Sequence, residues 1–283
     1  LAQLPALLQR TTGGAAANTA YALAKLGMPS SLLGVVGDDD DGTFFVEHFM
    51  AAGGDPSRIR VTDEAHTARC LVLVSPDGER TMRTDLGASM CLKPEQLLAE
   101  DFLGVQHLYT EGYQLFNLPL LTAVLEQAKA AGCTVTMDLG SFEVVDALAQ
   151  HLPDVLDTYV DVVIANWDEA NAFSGHDCPK EGLDALREFC DVAAVKLGAE
   201  GCLLVADKKP VHILAQTATK IVDTTGAGDA WAAGFIYGFC QDYPLEVCGC
   251  LGSVLGAEVV AHLGAAIPND RWSDVAQKVL ACR

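Results

Sequence analysis

The chain has 283 residues, half of them hydrophobic, with 18 Lys and Arg against 38 Asp and Glu and a formal net charge of −20. That is apolar material for one large core, and the acidic balance argues against a nucleic-acid partner, whose phosphates need a basic surface. No apolar run reaches the roughly 18 residues of a membrane span, and the ten cysteines include no Cys-x-x-Cys pair (Cys248 and Cys250 come nearest), so they read as reduced thiols of a cytoplasmic protein rather than a zinc site.

In chain order, residues 18–26 predict a helix of small residues stopped by Gly27, and 32–36 a short buried strand. The acidic run 38–41 reads as a solvated loop without a catalytic role. Residues 70–74 and 81–85 flank Ser75-Pro76-Asp77-Gly78, a turn signal, and predict a β-hairpin. Its polar second strand points to an excursion from the main sheet; the alternative is an edge hairpin of that sheet. Beyond residue 100, strands and helices alternate: strand 107–110, helix 119–131, strand 133–138, helix 144–150, strand 161–166, helix 168–173, strand 193–197. A strand pair follows at 202–206 and 211–215, and a last long helix at 245–263. The alternation predicts an α/β fold with a mostly parallel sheet covered on both faces.

The stretch 221–241 organises the rest. A β-branched start leads through Gly226-Ala227-Gly228-Asp229 into a helical pattern with Trp231, Phe235, Ile236 and Phe239 on one face. Small residues admit a ligand to the backbone, and a helix N-terminus with free amides is an anion site. An acid there repels an anion. Asp229 therefore fits a second reactant, a hydroxyl that loses its proton while attacking a phosphate; an Asp helix cap is the plainer alternative. In open α/β sheets ligands gather beyond the carboxyl ends of strands. Glu111, Asp138, Asn166, Gly198 and the Gly226 turn all fall at such ends.

The segment Asp223-Thr224-Thr225-Gly226-Ala227-Gly228-Asp229 resembles the C-terminal signature of the ribokinase-like (PfkB) family of carbohydrate and nucleoside kinases. A second match, Gly13-Gly14-Ala15-Ala16-Ala17-Asn18, followed by Leu26-Gly27 and Gly34-Val35-Val36-Gly37-Asp38, stands about 200 residues earlier, in the family's order. The resemblance runs from about Gly13 to Pro268. Residues 67–82 and Glu111-Gly112-Tyr113 look most like the adenosine-kinase-like branch. The resemblance implies a three-layer α/β/α ribokinase-like domain over 1–283 with a small β lid around 66–88. The family normally opens with a strand carrying a Gly and a substrate-binding Asp. Only twelve residues precede Gly13 here, none of them Asp, so that strand is expected to be missing from this sequence.

Site roles follow from the same resemblance. Gly13 and Gly14 become a hinge under the lid, and Asn18 and Glu111 bind substrate hydroxyls. Asn166-Trp167-Asp168-Glu169 resembles the family's Asn-x-x-Glu motif, which organises Mg²⁺ through water near phosphates; the same spacing also makes a capping box. Lys196, Gly198 and Gly201 lie in a turn that the family sets beside ATP, usually with Thr at the position of Lys196. Asp223 and Thr225 resemble ligands of a monovalent cation such as K⁺. Arg69, in the lid, is a candidate for a substrate or phosphate contact. The implied activity is transfer of the γ-phosphate of ATP to a primary hydroxyl of a sugar or nucleoside, with Asp229 as base and the amides of Gly226, Ala227 and Gly228 holding the transferred group. A homodimer through the lid is expected by analogy.

Two rivals remain. A nicotinamide oxidoreductase would need a third glycine where Trp231 stands, and a full nucleotide-binding half after it. A non-catalytic sugar- or nucleoside-binding member of the same fold would show no ADP release. No Gly-x-x-x-x-Gly-Lys-Ser/Thr is present, which argues against a P-loop enzyme.

Overall fold

The structure, a computed structural model, describes residues 10–74, 80–207 and 209–283. Its elements are α1 (Ala15–Lys25), β1 (Gly34–Gly37), α2 (Asp40–Ala51), β2 (Ile59–Thr62), β3 (Arg69–Val74), β4 (Arg80–Asp85), β5 (His107–Glu111), α3 (Leu118–Ala130), β6 (Thr134–Asp138), α4 (Phe142–Ala147), α5 (Leu152–Tyr159), β7 (Val162–Asn166), α6 (Trp167–Ser174), α7 (Pro179–Arg187), β8 (Val192–Lys196), β9 (Cys202–Val205), β10 (Val211–Ile213), α8 (Ala227–Phe239), α9 (Leu245–Val259) and α10 (Trp272–Ala281).

The central sheet has the order β10-β9-β8-β7-β6-β5. β5 to β8 are parallel and β8, β9 and β10 antiparallel. β6, β7 and β8 are buried along nearly their whole length, which is why they read as continuous apolar runs rather than alternating ones. On one face, Leu125, Leu152, Leu156, Leu183 and Leu186 of α3, α5 and α7 pack with Met137, Val163 and Val195 of the sheet. On the other, Trp231 and Phe235 of α8 and Cys248 of α9 pack with Ile164, Ala194 and Leu204. α1 and α10 close over α8 and α9 through Leu23, Ile236, Leu255, Trp272 and Val275. The result is the three-layer α/β/α arrangement. α8 and α9 touch through glycine: a Cβ on Gly234 would lie 2.4 Å from the Leu251 carbonyl oxygen, and one on Gly252 2.7 Å from the Trp231 ring.

Two small sheets stand outside the central one. β3 and β4 form an antiparallel pair, Arg69 opposite Asp85, so the hairpin is an excursion and not an edge of the main sheet. Its turn, Ser75 to Gly78, lies outside the described residues. β1 pairs in parallel with β2 and not with the central sheet.

Several expectations need correction. The acidic run is not a solvated loop: Asp39 caps α2, accepting from the Gly42 amide at 2.8 Å, and Asp40 and Asp41 open the helix where its dipole favours acids. α5, α7 and α10, each of ten residues or fewer, and β2 were missed in the periodicity, and α9 ends at Val259, short of 263. The cysteines are not all reduced. Cys250 of α9 and Cys282, which follows α10, form a disulfide, while Cys133, Cys190, Cys202 and Cys248 are buried thiols.

Candidate active site

Parallel strands end side by side, and here their last residues are polar. Register sets Glu111 opposite Asp138 and Asn166 opposite Lys196, so β5, β6, β7 and β8 present four polar ends at one edge. Lys196 reaches across β7: its Nζ donates to Asp138 Oδ2 at 2.6 Å, with both side chains nearly buried.

α8 begins above this edge. Gly226 takes a left-handed conformation with φ 74° as its N-cap, and a Cβ there would lie 2.6 Å from the Cβ of Ala265, so this position requires glycine. Asp229 stands in the first turn. Its Oδ2 accepts from Asn18 Nδ2 at 2.8 Å, and its carbonyl accepts from Thr19 Oγ1 at 3.2 Å. α1 is thereby fastened to α8 at the acid itself. Gly14, with φ 100°, turns the chain into α1, whereas a Cβ on Gly13 would meet nothing within 4 Å. A Cβ on Gly228 would lie 3.3 Å from Lys196 Nζ, which places that ammonium against the first turn of α8.

Four acids and one ammonium share this space, and burial raises three of the acids. It pushes Asp229 up to about 6, with Asp138 adding to the rise and Asn18 and Lys196 opposing it. It pushes Glu111 up to about 8, aided by the charges of Asp229 and Asp138. Glu169 rises to about 7 for the same reason. Burial opposes the charge on Lys196, but Asp138, Glu169 and Asp229 outweigh it and raise its pKa.

The remaining predicted residues take defined places. Asn166 and Glu169 close a capping box: the Asn166 amide and Nδ2 donate to Glu169 Oε2 and Oε1, both at 2.7 Å, and the Glu169 amide returns a bond to Asn166 Oδ1 at 2.8 Å. Gly198 and Gly201 shape the turn between β8 and β9. Gly201 leaves no room for a side chain, since a Cβ would lie 1.9 Å from the Ile213 carbonyl oxygen. Buried Asp223 accepts from the Thr225 amide at 2.7 Å and the Gly264 amide at 2.9 Å, tying the strap before α8 to the loop after α9. The Ala227 amide donates to the Thr224 carbonyl at 3.2 Å. Arg69 is held by Asp41 at 2.6 Å, at the foot of the hairpin. Thr67 fixes that foot by donating to Asp39 from its hydroxyl at 2.6 Å and its amide at 2.9 Å, bonds that hold the Asp39 carboxyl well below the usual range.

Two features escaped the sequence reading. Asp138 was recognisable as a strand end, but its pairing with a lysine two strands away has no signature in spacing. Thr19 looks like one more small residue of α1. Among the described residues, no group of three His, Cys, Asp or Glu is arranged to hold a metal by itself.

Parallel strands ending in buried acids, beneath a glycine-capped helix N-terminus with a carboxylate in its first turn, define an α/β enzyme of the phosphoryl-transfer class. The family model of the pfkB family carbohydrate kinases matches residues 3–272, and the chain belongs to that family. It is 29% identical to the aminoimidazole riboside kinase of Salmonella typhimurium over 262 residues, covering 89% of this chain and 79% of that one. It is 26% identical to the nucleoside kinase of Methanocaldococcus jannaschii, over 94% of this chain and 85% of that one. The crystal structure of adenosine kinase from Sinorhizobium meliloti superposes with a TM-score of 0.86 at 32% identity, covering 95% of this chain and 83% of that one. The protein is a carbohydrate or nucleoside kinase with ATP as co-substrate.

Proposed function

We propose that the protein transfers the γ-phosphate of ATP to the primary hydroxyl of a nucleoside or its sugar, with Asp229 as general base. The observation that carries this reading is the Asp229 carboxylate itself: buried, aimed by Asn18 at 2.8 Å, and standing in the first turn of the glycine-capped helix. A hydroxyl beside it loses its proton as the oxygen attacks. The amides of Gly226 and Gly228 and the ammonium of Lys196 receive the transferring group; the Ala227 amide, already bonded to Thr224, adds less. Asn18, Glu111, Gly13 and Gly14 form the acceptor side. Asn166, Gly198 and Gly201 form the nucleotide side.

The donor set fits a divalent cation held through water. Glu169 keeps acceptor capacity on both oxygens beyond the single bond each receives, and the acids outnumber the one lysine. Mg²⁺ held by Glu169 and Asn166 would neutralise phosphate charge. Asp223 and Thr225 are proposed to seat a monovalent cation, K⁺, that stiffens the strap before α8. The hairpin is proposed as a lid excluding water from the acceptor. Its exposed Leu71, Val72, Leu73 and Met82 also offer a dimer surface, which light scattering would test by mass.

The nucleoside preference rests on two relatives, the aminoimidazole riboside kinase and the adenosine kinase. A coupled ADP-release assay over adenosine, aminoimidazole riboside, ribose and fructose tests it. The expected result is turnover highest with a nucleoside. Turnover with free sugars alone would contradict the preference, and no ADP release with any acceptor would favour a binding protein.

A further inference from the structure

Lys196 has several carboxylates within reach of its field, among them Glu169 and Asp229, yet it bonds to Asp138. The other acids are differently engaged. Glu169 gives both oxygens to Asn166, and Asp229 takes the Asn18 amide. Glu111 Oε1 is buried and has no partner among the described residues. Asp138 is fixed from its other side as well, since Oδ1 accepts from the Gly140 amide at 3.1 Å. It therefore offers Oδ2 in one orientation, and the ammonium it holds lies against Gly228, on the first turn of α8.

We propose that Asp138 is a positioning residue: by holding Lys196 Nζ it keeps the ammonium on the anion loop and off Asp229, so that the cation meets the phosphoryl donor while Asp229 stays free for the acceptor's proton. This rests on the reading that Lys196 meets the donor's phosphates. An ammonium has three donors. One is taken by Asp138, and the others serve an anion at Gly226–Gly228. Without the Asp138 carboxylate the ammonium falls to the next acid, and pairing with Asp229 would make that base weaker. A buried ion pair adds little to stability on balance, because desolvation offsets its attraction, and fixing one arrangement among several is its best-attested use.

The test has a sign that separates positioning from bulk electrostatics. Removing one negative charge from a site that binds a polyanion should, by charge alone, tighten ATP. The proposal predicts the reverse. Asp138→Asn should weaken ATP binding, read by calorimetry and as KM, by about tenfold or more, the scale of a lost charge-assisted bond. The acid limb of kcat against pH should also move to lower pH. The groups acting on Asp229 are Glu111 and Tyr109 from β5, Asp138 from β6, Lys196 from β8 and Asn18 from α1. In a Lys196→Met background the same change should add less than about twofold, because coupled residues are not additive.

ATP affinity unchanged or improved in Asp138→Asn would overturn the proposal, as would a full additional loss in the Lys196→Met background. If Lys196→Met itself leaves ATP affinity untouched, the phosphate reading of Lys196 fails first and the proposal with it. Should Asp138→Asn not fold, Asp138→Glu keeps the charge on a longer arm. It is expected to weaken ATP in the same direction by a smaller factor, and wild-type affinity there would count against the proposal.

Discussion

At the scale of single residues, the proposed chemistry rests on two acids whose environments set them apart. Asp229 titrates at about 6 and Glu111 at about 8, both raised by burial. A base works only when deprotonated, so kcat/KM for the acceptor should fall about tenfold per pH unit below 6. Glu111 is neutral at pH 7 and becomes charged as pH rises through 8, beside Asp138 and Asp229. Acceptor affinity should therefore weaken above pH 8 in the wild type, and Glu111→Gln should flatten that limb while changing little at pH 7. A basic limb that persists in Glu111→Gln would remove the residue from this role. Asp229 and the glycines before it were legible because phosphate chemistry needs small residues and a carboxylate at fixed local spacing, whereas the roles of Gly13, Gly14, Asn18 and Glu111 came from the family resemblance alone. The Lys196–Asp138 bond was not, since it joins residues 58 apart in sequence.

At the scale of elements, the long apolar strands and α8 declared themselves by pattern, whereas α2 was hidden because its capping acids look like a solvated loop. α10 was missed although its ten residues are amphipathic, and tertiary ties hold it. One tie is Glu258 on α9, which accepts from Lys278 at 2.6 Å and Arg271 at 2.8 Å. Burial pushes the Glu258 carboxyl up, but those bonds outweigh it and hold it at about 2. Its contribution is therefore complete above the ordinary carboxylate value and disappears as pH falls toward 2. Glu258→Gln should lower stability by ~1–2 kcal/mol at pH 7, allowing for solvent screening, and the difference from wild type should close between about pH 4.5 and 2 in thermal melts. A gap independent of pH would mean packing, not charge, is at stake. The second tie is the Cys250–Cys282 disulfide, whose ends lie 32 apart in sequence. Closing a loop of that length stabilises by ~3–4 kcal/mol through the unfolded chain. Reductant, or Cys282→Ser, should lower the melting temperature; an unchanged melt would contradict the bond.

At the scale of the whole molecule, the sheet edge, the start of α1 and the glycine-capped helix converge although their residues are scattered from Asn18 to Asp229. The two motifs made that convergence readable before any coordinates, because both attach to strand ends or helix starts. The same edge concentrates negative charge in a chain already at −20, so a polyanionic donor needs a cation to enter. EDTA should abolish turnover and added Mg²⁺ restore it, and full activity in chelator would contradict the role given to Glu169 and Asn166. The central claim is that Asp229 takes the acceptor's proton while the start of α8 holds the phosphoryl group. Its most direct test is Asp229→Asn, measured for ADP release with acceptor and for ATP affinity by calorimetry. The account predicts turnover at least about a hundredfold lower with ATP affinity preserved; near wild-type kcat in that variant would contradict it.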